Sequence, residues 1–194
     1  MSIQIQPTIP KNQRIIIAKI FYESFKDKFS IIFGDRKKAI RLISKLIRED
    51  RILVATKDEK VVGFVGLHYQ RKNFMEFNLT EITKVYGLLA IRVLIYFLIT
   101  IFTEQKPNQL HLEVIAVTEK QRGRGTGTKL LKSTIDFAWL KKFPQIKLEV
   151  VNTNPKARKL YEKIGFKKVK DSKIPYPFYI FTGFSLITDM HFNL

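Results

Sequence analysis

Apolar residues recur at helical spacing over residues 13–26, where Ile16, Ile17, Ile20, Phe21 and Phe25 form one stripe. The pattern predicts a helix. A second fits residues 36–48, with Ile40, Ile43 and Ile47 on one face and Arg36, Lys37, Arg41, Lys45 and Arg48 mostly off it. At Arg51 the period shortens. Arg51–Lys57 and Val61–Tyr69 read as two strands joined by a tight turn at Asp58–Lys60, a hairpin. Gly63 and Gly66 in the second strand indicate close packing or a bulge.

Residues 85–102 run VYGLLAIRVLIYFLITIF, with Arg92 as their one charge. The length approaches a membrane span, but Arg92 would then sit near the bilayer centre at a cost of about 3 kcal/mol. The preferred reading is an apolar helix lying on the sheet or forming a face between two copies. A peripheral contact with an anionic membrane is the other role open to it.

Gln109–Val117 alternates. Leu110, Leu112, Val114 and Ala116 should face one way, and His111, Glu113, Ile115 and Val117 the other. A helix follows at about 127–141, carrying Leu130, Leu131, Thr134, Ile135 and Ala138 on one stripe, and then a strand at Ile146–Val151. The next helix is fully punctuated: Asn154 as N-cap, Pro155 at the first helical position and Gly165 just past the end. Its apolar face is Ala157, Leu160, Tyr161 and Ile164. Strands at Phe166–Lys170 and about Phe184–Phe192 close a chain without repeats or linkers. The expectation is one mixed α/β domain spanning residues 1–194.

The chain has no cysteine, which excludes disulfides, thiolate metal sites and a cysteine nucleophile. With no basic and then apolar start over Met1–Pro10, the expected location is cytoplasmic. The formal net charge of +18 attracts anions without choosing among them, and a solvated lysine-rich surface accounts for most of it. His68, His111 and His191 are dispersed, so no metal is expected. No strand–serine elbow is present either.

The segment Gln121–Gly127 lies between a predicted strand and helix. Alternate Gly123, Gly125 and Gly127 remove side chains where the chain turns, so that main-chain N–H groups can converge on one concavity. The helix N-terminus adds its dipole and its unpaired amides, and Arg122 and Arg124 add charge. A pyrophosphate is the natural occupant. The P-loop pattern fails because Thr128 separates Gly127 from Lys129, and the dinucleotide fingerprint fails because the spacing is G-x-G-x-G.

Arg122-x-x-Gly125-x-Gly127 after the strand HLEVIAV resembles the acyl-CoA-binding motif of the GNAT superfamily of N-acyltransferases. The segment Asn154-Pro-Lys-Ala157-Arg-Lys-Leu160-Tyr161-Glu-Lys-Ile-Gly165-Phe166 resembles that family's later helix and following strand. Together the matches cover about residues 110–170, and the stretch at about 70–109 departs from the minimal pattern. The resemblance implies a V-shaped mixed sheet flanked by helices, with an apolar helical insert before the cofactor-binding strand. Gln109–Val117 and Ile146–Val151 would be the splayed parallel pair, with pantetheine in the split on backbone groups of Ile115 and Val117. The pyrophosphate would rest on Arg122, Gly123, Arg124, Gly125, Thr126, Gly127 and Thr128, with Asn154 and Tyr161 completing the cofactor set.

The implied reaction moves an acetyl or short acyl group from acetyl-CoA directly to a primary amine. Such an amine has a pKa of about 10.4 and must lose a proton to attack. The oxyanion needs a donor, and the thiolate needs a proton. Glu113 is the candidate base, with His111 and Glu149 as alternatives. Tyr161, whose family counterpart points at the cofactor sulfur, is the candidate proton donor. Asn154 is equally explained as an N-cap. The competing classes are a CoA-holding sensor of the same fold without turnover and, less favoured, a nucleic-acid binder driven by charge.

Overall fold

The computed structural model describes residues 2–91, 93–94, 108–176 and 183–194. It is a seven-stranded mixed sheet in the order β1-β2-β3-β4-β5-β7-β6. The strands are β1 (Gln4–Gln6), β2 (Ile52–Lys57), β3 (Lys60–His68), β4 (Gln109–Val117), β5 (Gln145–Val151), β6 (Lys167–Lys173) and β7 (Leu186–Asn193). The described helices are α1 (Arg14–Ser24), α2 (Lys26–Phe33), α3 (Arg36–Leu46), α4 (Leu79–Tyr86), α5 (Thr126–Leu140) and α6 (Pro155–Ile164). All neighbouring strands are antiparallel except β4 and β5, which α5 connects as a parallel pair.

Each face of the sheet has its own core. On one, α1, α2, α3 and α4 cover β2, β3 and β4 with Ile17, Leu42, Ile43, Phe64, Ile82, Val114 and Ala116. On the other, α5 and α6 cover Leu53, Val65, Leu67, Leu110, Leu112, Ile146, Leu148 and Val150 with Leu130, Leu131, Ala138 and Tyr161. Burial on both sides explains why β2, β3 and β4 carry apolar residues at nearly every position. Edge strand β6 has Lys167, Lys168, Lys170 and Lys173 and lies largely in solvent, which disfavours further strand pairing.

The hairpin between β2 and β3 turns on Asp58 and Glu59, both at positive φ, as a two-residue turn requires. The predicted helix over 13–26 is α1, and a further helix, α2, follows it directly. Phe25 leaves helical backbone at φ −127° and ψ 24°, and α2 restarts so that Phe29 and Phe33 both enter the core. Helix α4 was not read from the pattern, yet Asn78 caps it by accepting from the Glu81 amide at 3.0 Å, a capping-box spacing. Three-residue β1 is too short to carry a period.

Of the apolar 85–102 segment, Arg92 and residues 95–102 lie outside the described residues. Leu88, Leu89 and Ile91 within it are exposed at 98%, 60% and 59%. Tyr86, Ala90 and Val93 of the same stretch are buried in the core that α1 to α4 form over the sheet, so its described part packs inward on one side and bares the other. No described helix is long and apolar enough to cross a membrane.

Candidate active site

The site begins where strand pairing stops. β4 and β5 are in register from Gln109 with Gln145 to Leu112 with Leu148, although β4 continues to Val117 and β5 to Val151. Beyond Leu112 the two strands splay, and the edge of β4 that β5 has left is open to a ligand backbone.

A bulge sits at the start of the split. Gly66 pairs with Val114 but Leu67 pairs with Leu112, so Glu113 is an extra residue in β4. The bulge reverses the expected alternation. Leu110 and Leu112 pack with α5 and α6, and so do Ile115 and Val117; Val114 and Ala116 join the opposite core. Glu113 therefore does not share a face with Ile115 and Val117, as simple alternation expected. It stands with His111 on the side of α1 and α4.

There its carboxylate is held from outside the strand. The Phe74 amide donates to Glu113 Oε2 at 2.7 Å, and His68 Nδ1 lies 3.6 Å from Oε1. Phe74 is itself fixed. Its ring stacks on Phe64 at 5.4 Å, its carbonyl accepts from Arg48, and only a glycine at position 66 leaves room for it, since a Cβ there would lie 2.5 Å from the ring. The Glu113 side chain is 23% exposed while the residue as a whole is exposed, so its main chain is bared at the bulge. Burial pushes the carboxyl up to about 7, against the Phe74 hydrogen bond, with nearby Glu149 adding to the rise.

The two alternative bases are differently placed. His111 is buried, and desolvation with Lys147 beside it pushes its imidazole down to about 3, so it is neutral near pH 7. Glu149 is paired with Lys147 at 2.9 Å, and Asp189 reaches the same ammonium at 3.8 Å.

Tyr161 lies across the sheet from Glu113. It is buried with Leu130, Leu148 and Val150, and its ring is 6.1 Å from Phe166. Burial alone pushes its phenol up to about 12, which keeps it a proton donor at neutral pH. Its position follows from α6. Asn154 accepts from the Ala157 amide at 3.2 Å, Pro155 opens the helix, and Gly165 at φ 113° closes it by donating to Tyr161 O and Glu162 O. Thus Asn154 is an N-cap, which engages its oxygen and not its amide nitrogen.

The glycine turn leads into α5. Gly123 and Gly125 have φ of 71° and 80°, in the left-handed region, and a Cβ at either would meet no protein atom within 4 Å. Gly127 differs: a Cβ there would stand 3.4 Å from Leu160 Cδ2, in ordinary contact with α6. No side chain caps α5, which leaves its first-turn amides to solvent or a ligand. Arg122 and Arg124 are exposed beside them, Thr126 is buried with its hydroxyl 3.3 Å from Gln121 Oε1, and Thr128 is half-buried. The structure thus brings the turn, the open edge at Ile115 and Val117, and Tyr161 to one face, and puts Glu113 on the other with the split between. Sequence reading passed over Phe74 and His68. A main-chain donor has no sequence signal, and a lone histidine in a strand carries almost none. Among the described residues no group of acids and histidines is arranged to hold a metal ion.

Residues 17–166 match the family model described as the acetyltransferase (GNAT) family. The probable N-acetyltransferase camello of Xenopus tropicalis is 35% identical over 79 residues, which are 41% of this chain and 36% of that protein. The thialysine N-epsilon-acetyltransferase of Mus musculus is 34% identical over 80 residues, 41% of this chain and 45% of that protein. The chain thus spans less than half the length of these relatives. An N-acetyltransferase from Staphylococcus aureus Mu50 superposes with a TM-score of 0.70 at 21% identity, covering 97% of this chain and 100% of that one. Ard1 from Thermoplasma volcanium gives 0.62 at 15% identity, covering 100% and 99%, and at such identities the likeness is one of fold. With the family model spanning strands β2 to β5, the glycine turn, α5 and α6, the chain belongs to the acetyltransferase (GNAT) family.

Proposed function

We propose that this chain moves an acetyl or short acyl group from acetyl-CoA directly to the primary amine of a small molecule or peptide, within a single domain. The observation that carries the reading is the parting of β4 and β5 after Leu112 and Leu148, with an uncapped helix N-terminus at the end of β4. A pantetheine arm bonding to the freed edge would run along Ile115 and Val117. Its pyrophosphate would take amides of the turn Arg122–Thr128, and the Asn154 amide nitrogen lies on the helix that borders the arm.

A thioester in the split meets Glu113 from one face and Tyr161 from the other. Glu113, with its carboxyl near 7, takes the proton of the incoming ammonium directly or through a water, and the amine nitrogen attacks the thioester carbon. The main chain bared at the bulge can donate to the oxyanion. As the carbon–sulfur bond breaks, the Tyr161 hydroxyl donates to the departing thiolate. The exposed Leu88, Leu89 and Ile91 support a contact role for that end of the molecule, toward a second copy or an anionic membrane surface.

An acceptor screen with thiol detection tests the reading, using acetyl-CoA with polyamines, amino acids, peptide N-termini, lysine peptides and aminoglycosides. Amine-dependent release of CoA thiol is expected from at least one class. Acetyl-CoA binding without thiol release from any amine would favour a sensor over an enzyme.

A further inference from the structure

We propose that His68 is a positioning residue for the reaction, holding the Glu113 carboxylate turned toward the acceptor side and favouring its ionised form. The inference rests on the reading of Glu113 as base. A bulged glutamate belongs to no regular register, so its side chain is oriented by whatever its oxygens meet. Here the two oxygens meet different groups. Phe74 N–H donates to Oε2 at 2.7 Å, and His68 Nδ1 lies 3.6 Å from Oε1. Both come from β3 and the loop after it, so the carboxylate is met from outside its own strand.

His68 is suited to this place. It is 8% exposed, ends β3 opposite His111 in register, and its ring lies 6.2 Å from the His111 ring. The charged and titratable groups beside them on this face include Glu149 and Lys147 from β5 and Asp189 and His191 from β7. Glu149 opposes a charge on Glu113, and its own partner is Lys147. A proton carried on His68 Nδ1 would offset that repulsion. Without it Glu113 would keep the Phe74 bond but be freer to turn and harder to ionise.

The test has two arms. In the first, the pH profile of kcat/KM is measured for the native protein, His68→Leu, His68→Asn and Glu113→Gln. His68→Leu should move the acid limb to higher pH by up to about one unit and lower kcat, with KM for acetyl-CoA unchanged. His68→Asn, which retains a donor near the Nδ1 position, should restore most of the limb. An unmoved limb in His68→Leu, or loss of acetyl-CoA binding along with it, would overturn the proposal. Full activity with an unchanged limb in Glu113→Gln would instead remove the base reading beneath it.

The second arm needs neither activity nor a His68 variant. The imidazole of His68 is titrated by NMR in the native protein and in Glu113→Gln. Loss of the carboxylate charge should lower its midpoint, since the coupling is reciprocal. An unchanged midpoint overturns the proposal even if His68→Leu fails to fold.

Discussion

Leu112 and Leu148 are the last residues at which β4 and β5 are paired. Below them is an ordinary parallel ladder, buried throughout on its β4 side. Above them the strands part, one residue after Leu112 comes the bulge, and the candidate site occupies the opening. Both leucines are buried in the α5 and α6 core, so the point of parting is held by packing and not by a loop.

The turn before α5 gives the most direct binding test. Gly125→Glu places a carboxylate at the uncapped helix N-terminus and should abolish the rise in melting temperature that acetyl-CoA produces. Gly125→Asn controls for backbone strain, because asparagine tolerates the left-handed region that costs other residues about 1–2 kcal/mol. It should keep part of the shift. A full shift in Gly125→Glu would exclude the turn as the pyrophosphate site.

Tyr161→Phe removes a hydroxyl and leaves the ring among Leu130, Leu148 and Val150. Turnover should fall by roughly a hundredfold if the phenol protonates the leaving thiolate. Acetyl-CoA affinity should change little. Steady-state kinetics beside calorimetric binding separates the two, and equal kcat would assign the residue to the core alone.

The reading of Glu113 as base predicts a link between activity and stability. Its carboxyl is raised from 4.5 to about 7 in the folded chain, so between those values the native state holds the extra proton. Stability contributed at this position is therefore present below about pH 4.5 and lost as pH rises through about 7. Relative to the native protein, Glu113→Gln should gain stability across that window while losing turnover. Urea unfolding at a series of pH values measures it, and a pH-independent difference would contradict the buried environment.

His111 has the opposite sign. Its pKa falls from 6.5 to about 3 on folding, so the unfolded chain binds the proton first as the solution is acidified. Stability should decline between these values on the acid side, and His111→Asn should flatten that decline. NMR titration of the ring gives an independent reading. A midpoint near 6.5 in the native protein would show that the site is wetter than its packing implies.

Asn154 separates capping from cofactor contact. Asn154→Ala should cost about 1 kcal/mol by releasing the Ala157 amide. Asn154→Asp keeps the cap and loses the amide donor. If acetyl-CoA affinity is the same in Asn154→Asp as in the native protein, the residue has no cofactor role.

Much of the fold could be read from local pattern. The stripes of α1, α3 and α5, the strands β2 to β5, and the Asn154-Pro155…Gly165 punctuation of α6 all depend on neighbours within a few residues, and each was legible. Elements that lacked a period were not. β1 is three residues long, and the break at Phe25 is decided by where Phe29 and Phe33 must pack. The Asn78-x-x-Glu81 cap of α4 was a readable sign that the apolar stretch after it obscured.

The sequence alone determined one half of the candidate site: a strand, a glycine turn, a helix and a second capped helix, in an order whose resemblance named the family. Those features are local, because backbone conformation at Gly123, Gly125, Asn154 and Gly165 is set by the residues themselves. The placement of Glu113 was decided by tertiary structure. Alternation along β4 put Glu113 with Ile115 and Val117; pairing against β3 inserted a bulge that turned it to the other face. There an amide from Phe74, 39 residues away in the chain, meets its carboxylate. A register shift and a main-chain hydrogen bond depend on how distant segments stack, and no spacing within one strand encodes them.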